Sequence, residues 1–232
     1  MAKAAVVFCL TEEEKIDLED YFGSPKAKLM KIPNGSPLRF ERNQSKRVDT
    51  IRNSVLFASR LDPRKKPLEF IAAAKKLALK YPTLEFLLAG SDAGALSEVQ
   101  AELARVNNPR IRYLGALSKE ELLETLDRSQ VLVHPTEWDV FPMIMVESVC
   151  SGVPVVSLAG YEVSEWFAKH NATTLATSDL DSLASAIEDV LENFLEKQRF
   201  AEAFASQYLD EEVIANTLIS RYQAVLEGQA NC

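Results

Sequence analysis

Three cysteines in 232 residues, Cys9, Cys150 and Cys232, are too few and too irregularly spaced for a disulfide framework or a metal cluster. A reducing, cytoplasmic setting is the simplest one for such a chain. Histidine is scarcer still. His134 and His170 have no ligand or triad partner at a recognisable spacing, so each reads as structural, and no metal is expected. Long apolar runs are missing too. Ala4 to Leu10 falls far short of the ~20 residues of a membrane span and runs into Glu12-Glu-Glu-Lys15, so it reads as a buried strand. A net charge of −8 disfavours nucleic acid and anionic membrane as main partners, while leaving room for a local basic pocket. The first strand ends in Cys9-Leu-Thr11 without the clustered acids that a phosphorelay receiver requires.

The residues that are there alternate short apolar runs with longer amphipathic ones, the pattern of a parallel sheet with crossover helices. Strands are expected at Val6 to Cys9, Leu29 to Ile32, Ser54 to Ser59, Leu84 to Ala89, Ile111 to Leu114, from Val131, and after Gly152-Val-Pro154. Helices are expected from Thr11 to near Gly23 (Thr11 and Glu14 forming a capping box), Pro67 to Lys80, Ala95 to Val106, Ser118 to Arg128, from Pro142, Glu162 to Lys169, Ser182 to Leu195, Glu196 to Gln207 and Glu211 to Leu226. The polar, basic stretch 38–53 reads as a mobile connection. The fold class is α/β: a single Rossmann-like domain with a central parallel sheet flanked by helices.

Two strand-to-helix turns concentrate the chemistry. The first, Ser59-Arg-Leu-Asp-Pro-Arg-Lys-Lys-Pro67, puts Arg60, Arg64, Lys65 and Lys66 just before a helix. Cations there oppose the helix dipole, so either the turn is a solvated basic patch or an anion belongs between them and the helix end. The second, His134-Pro-Thr-Glu-Trp-Asp-Val-Phe-Pro142, leads into a helix that carries Glu147, eight positions after Asp139. Open α/β sheets bind anionic ligands at such strand ends, where helix N-termini present bare amides.

These segments, with Leu88-Ala-Gly-Ser91, Ile111-Arg-Tyr-Leu-Gly-Ala-Leu-Ser-Lys-Glu-Glu-Leu122 and Ser151-Gly-Val-Pro-Val-Val156, occur in one order. Together the chain resembles the C-terminal, donor-binding domain of the retaining glycosyltransferases of family 4, which have the GT-B architecture. The resemblance implies residues 1–53 as lead-in segment and connection, 54–195 as Rossmann-like core and 196–232 as C-terminal helices. It implies that the N-terminal acceptor-binding domain is absent and would be supplied in the same or another chain. The last helix, normally packed across the cleft, would then expose apolar surface that favours self-association or a second polypeptide.

The same resemblance assigns roles. Arg60 and Lys65 would hold the diphosphate of a nucleotide sugar, with Lys66, standing where the family often has Gly, able to exchange with Lys65. Glu147 would accept from the ribose hydroxyls, since a carboxylate takes two adjacent hydroxyls at once. Asp139, where the family usually has Glu, would contact the transferred hexose, or else merely cap the helix. Gly90, Leu117, Phe141, Met143 and Ile144 would contact the nucleotide or sugar. Glu162 and Glu165 compete for the family's Gly-Gly-x-x-Glu loop position. Asp179-Leu-Asp181 has the form of a metal-binding acid pair but reads as a helix cap. The expected function is metal-independent, retaining transfer of a hexose from a UDP- or GDP-type donor, without cofactor, the whole enzyme being cytoplasmic or peripheral at a membrane. A non-catalytic nucleotide-sugar-binding module and a nucleotide-sugar epimerase fragment are the rivals.

Overall fold

The computed structural model describes residues 4–23, 28–36 and 52–227. Its centre is a six-stranded, wholly parallel sheet: β3 (Ser54–Ala58), β4 (Glu85–Ala89), β5 (Ile111–Tyr113), β6 (Ser129–His134), β7 (Val155–Leu158) and β8 (Thr173–Ala176), in the spatial order β5-β4-β3-β6-β7-β8. Between them run α2 (Pro67–Lys80), α3 (Leu96–Val106), α4 (Lys119–Asp127), α5 (Met143–Cys150) and α6 (Glu162–Lys169), and α7 (Leu180–Glu192) follows β8. The order turns outward in both directions from the β3–β6 pair, the doubly wound arrangement with its switch point there.

Strand periodicity explains why β3 is apolar at nearly every position. Val55 and Phe57 point to one face and join α2, α3 and α7 through Phe70, Leu77, Val99 and Ile187. Leu56 and Ala58 point to the other and join α5, α6 and α8 (Phe194–Phe204) through Met145, Val149, Phe167 and Phe204. A strand covered on both faces cannot alternate apolar with polar. Truncating the fully buried Phe57 to Ala should therefore cost ~3–5 kcal/mol.

A smaller unit precedes the sheet. Here β1 (Val6–Cys9) and β2 (Lys28–Lys31) pair in parallel beside α1 (Glu12–Phe22). Thr11 caps α1 by accepting from Glu14 N at 3.0 Å, while the Glu14 carboxylate accepts from Leu10 N at 2.7 Å, one residue short of the reciprocal bond of a full capping box. The unit is tied to the core by Glu162, whose carboxylate accepts from Glu12 N, Glu13 N and Lys31 Nζ at 2.6, 3.0 and 2.8 Å. It is also tied to α9 (Glu211–Leu226), through the Phe8 and Tyr222 rings 5.5 Å apart. The Ser36 N–H donates to Leu209 O at 3.0 Å, in the π-helical turn Ala205–Leu209 that joins α8 to α9.

The parallel α/β class agrees with the sequence reading, with element ends shifted by one to three residues. Strand β8 was not anticipated, because Thr173-Thr-Leu-Ala176 offers no apolar run. Most of the connection 38–53 lies outside the described residues. Its last part is anchored: the Arg52 guanidinium donates to Ser129 O, Ser151 O and Gly152 O, each at 3.1 Å. Among the described residues, no helix is long and apolar enough to cross a membrane.

Candidate functional site

The strands β3 and β6 both end at the switch point, and both turns singled out in the sequence begin there. After β3, Asp62 caps a short 3-10 turn, Pro63–Lys65. Its carboxylate accepts from Arg64 N at 2.9 Å and from the Arg64 side chain at 3.2 and 2.8 Å, and these bonds hold it near a pKa of about 2. Lys66 then adopts a left-handed conformation, φ 56°, as it leads into α2. This is the backbone reason a Gly would suit the position.

The basic turn is divided: Arg60 and Arg64 are exposed, while Lys65 and Lys66 are largely buried and paired. Lys65 Nζ lies 2.6 Å from Asp139 Oδ2, and Lys66 Nζ lies 2.5 Å from Glu137 Oε1. The acids on the loop after β6 thus neutralise two of the cations after β3. Arg64 is taken by Asp62, 2.8 Å away. Arg60 alone of the four makes no ion pair among the described residues, and its side chain is exposed. Thr136 Oγ1 adds a bond to Arg64 O at 3.2 Å, so the two turns are joined by neutral as well as charged contacts.

A cleft of about 280 Å³ opens between these strand ends. It is lined by Ala58, Ser59, Arg60, Ala89, Gly90, Ser91, Ala116, Leu117, Leu122, Ile144 and Glu147. Five of the nine expected site residues, Arg60, Gly90, Leu117, Ile144 and Glu147, therefore share one wall-and-floor arrangement. Gly90 is required by contact: a Cβ there would lie 1.8 Å from Ser59 O, and its φ is +148°. Glu147 projects from the second turn of α5. Burial raises its carboxyl pKa above the ordinary range, opposed by the Lys119 charge at the start of α4. Such a carboxylate is short of water and of partners, a state that favours hydrogen-bond donors from a ligand.

Beside the cleft, the amides of Met143 and Ile144 at the start of α5 have no backbone acceptor among the described residues, whereas Pro142 has no N–H to give. Met143 is exposed and Phe141 is buried towards Trp166, ring centroids 6.4 Å apart. Neither side chain lines the cleft, so any contact from Phe141 is left to its backbone. Behind Asp139 sits His134, 2% exposed, its Nε2 3.9 Å from Asp139 Oδ2 and without a hydrogen-bond partner among the described residues. An orphaned buried group of this kind costs about 1–3 kcal/mol. Burial, then the Lys65 charge, depress its pKa to about 4 against the pull of Asp139, so the ring is neutral at physiological pH. Tyr161, also buried, is pushed up by burial and by the same Asp139 charge.

The remaining candidates fall elsewhere. Asp179 accepts from Ser182 N at 2.8 Å as the cap of α7, and Asp181 pairs with Lys76 at 2.7 Å, so the acid pair serves the helix start. Glu162 is taken by the α1 N-terminus, and Glu165 accepts from Gly160 N at 3.1 Å. Glu137 and Ser59 were missed by sequence reading. The alternation of acids in Glu137-Trp-Asp139 facing the lysines Lys65-Lys66 was the available signal. A larger cavity of about 420 Å³ lies under α4, lined by Asn53, Ser54, Glu85, Arg112 and Arg128 at the strands' N-terminal ends. Anion chemistry in a parallel sheet belongs to the other end, so size does not decide in its favour.

Comparison with known proteins bears on the fold and the family. The glycogen synthase of Mycobacterium tuberculosis (strain H37Rv) is 26% identical over 220 residues, an alignment covering 92% of this chain and 52% of that protein. The chain thus spans about half the length of this curated relative. Among solved structures, a glycosyltransferase from Rickettsia africae matches with a TM-score of 0.78 at 16% identity, covering 100% of this chain and 65% of that one. The pneumococcal O-GlcNAc transferase GtfA in complex with UDP and GlcNAc matches with a TM-score of 0.74 at 17% identity, covering 96% and 45%. At such identities these structures speak for the fold, which is that of GT-B glycosyltransferases. The family model for glycosyl transferases group 1 matches residues 39–207, and the chain belongs to that family.

Proposed function

We propose that this chain is the donor-binding half of a retaining, metal-independent glycosyltransferase of family 4, which moves a hexose from a nucleoside-diphosphate sugar to an acceptor. The observation that carries this reading is the cleft at the β3–β6 switch point, lined by both the Arg60 guanidinium, which makes no ion pair among the described residues, and the partly buried Glu147 carboxylate. Arg60 binds the diphosphate, and Lys65 joins it by leaving Asp139. As the glycosidic bond breaks, the leaving diphosphate gains negative charge. Two fixed cations and the bare amides at the start of α5 stabilise that charge without a metal. Glu147 accepts from the ribose hydroxyls, with Gly90 and Leu117 beside the base. Asp139, released from Lys65, accepts from a hexose hydroxyl.

The acceptor half is a second domain, in the same or another polypeptide, and this chain alone binds nucleotide weakly and transfers little sugar. Calorimetric titration with UDP, GDP, ADP and CDP tests the reading. One of the four should bind, with Glu147→Ala weakening it by about tenfold or more, the scale of a lost hydrogen bond to a charged group. Unchanged affinity in that variant would remove the ribose assignment. Ordinary turnover by the chain alone would remove the half-enzyme one.

A further inference from the structure

We propose that His134 is a positioning residue for Asp139: when a diphosphate draws Lys65 away, the Asp139 carboxylate turns onto the Nε2–H of His134, which then fixes its orientation. The inference rests on the reading of the cleft given above and extends it to a residue outside the cleft lining.

Four observations meet at this point. His134 is almost fully buried, and its Nε2 has no partner among the described residues, although buried polar atoms are nearly always paired. The atom that Nε2 faces at 3.9 Å is Asp139 Oδ2, the same oxygen that Lys65 holds at 2.6 Å. A movement of about 1 Å brings that oxygen within hydrogen-bonding range of the imidazole. The imidazole has little room to move, because it is almost fully buried and its backbone is held in register with Ser157 of β7. Asp139, by contrast, stands on a loop and is only partly buried.

The charges point the same way. The charged groups acting on the ring are Lys65, from the turn after β3, and Asp139, from the loop after β6. From β7 its register partner is Ser157, which does not titrate, and Tyr161 at the start of α6 senses the same carboxylate. While Lys65 sits on Asp139, the ammonium and the lack of water together keep the imidazole neutral. Taking Lys65 onto a phosphate removes the opposing charge and leaves the carboxylate as the ring's neighbour. The ring then donates from Nε2 and gains affinity for a proton. The orphan nitrogen is in this account the vacant half of a two-position carboxylate, occupied only when ligand is bound.

Nitrogen-15 NMR of the full chain, read at the histidines with and without UDP, tests the idea. The chain has two histidines, and His170 packs between Phe204 and Tyr208. It serves as an internal control. Without UDP, His134 should remain neutral until pH falls to about 4. With UDP its titration should move upward by about one unit or more, and Asp139→Asn should abolish that movement. His134→Gln, which keeps an N–H donor, should retain UDP affinity, while His134→Leu should lose about tenfold. If UDP binds and the His134 resonances do not move, or if His134→Leu binds as tightly as the wild type, the proposal fails while the cleft reading stands. If Lys65→Ala leaves UDP affinity unchanged, or no nucleotide binds at all, the cleft reading fails and takes the proposal with it. Should His134→Leu not fold, the wild-type titration decides alone.

Discussion

At position 147 burial and the proposed recognition of ribose act on one carboxylate in opposite senses. Its folded-state pKa is raised by burial, so whatever stability the group confers is present at low pH and lost as pH rises through that raised value. At neutral pH the ionised form is a cost to the fold. Glu147→Gln should therefore melt higher than the wild type at pH 7 and bind nucleotide more weakly. Scanning calorimetry and a titration on the same sample check both halves. His134 has the opposite sign. Its folded pKa, about 4 against an ordinary 6.5, means its contribution is complete above 6.5 and is lost as pH falls from there towards 4. That window is worth on the order of 3 kcal/mol. Urea unfolding at pH 7 and pH 4.5 should show a fall that His134→Leu flattens. Glu147 could be picked out in the sequence because Met145, Val146, Val149 and Cys150 surround it with apolar residues. The orphan nitrogen of His134 could not, since no pattern along the chain reports that a carboxylate five residues on, in the following loop, faces it.

Among the elements, the turns and helix ends explain most of what the site needs. Asp62 closes the 3-10 turn that aims Lys65 across the cleft, so Asp62→Ala should loosen that turn and weaken UDP binding several-fold with little change in melting temperature. Arg52 does the corresponding work at the other end of the sheet. Its guanidinium caps the carbonyls at the C-terminus of α5 and the start of β6. Charged donors at a helix C-terminus are favourable, and one bond to a charged group contributes ~1.5–3 kcal/mol. Arg52→Ala should thus cost ~2–4 kcal/mol by denaturant titration, and Arg52→Lys should restore little of it, having no planar fork. The helices α2 and α4 were legible because Pro67 at the first position of one and the Ser118 capping box of the other mark their starts. Strand β8 was not: an edge strand of Thr173-Thr-Leu-Ala176 takes its place from pairing with β7, and long-range pairing leaves no local mark.

Across the whole molecule, the class was readable because each strand run is followed by a helical one, and β-α-β crossovers permit few alternatives. The assembly was readable only as an expectation of apolar surface on the last helix, since it depends on what that surface meets. No residue of α9 is buried, and Ile219, Tyr222 and Leu226 on it are more than half exposed, as is Tyr21 on α1. Exposed apolar residues in that number predict association. Sedimentation velocity of this chain should show a concentration-dependent shift, and Ile219→Lys with Leu226→Lys should reduce it. Gly35 fixes where α9 rests, since a Cβ there would stand 2.9 Å from Ile214 Cγ1.

The near contact of Gly90 with Ser59 has a consequence for how donor preference can change. Two peptide backbones meet beneath the proposed nucleotide site with no room for a methyl group between them, so substitution at position 90 cannot reshape the cleft from below. If the cleft holds a nucleotide as proposed, discrimination among bases rests with its sides, at Ala116, Leu117, Leu122 and Ile144. A library confined to those four positions should yield altered base preference, and one placed at position 90 should yield only misfolded protein.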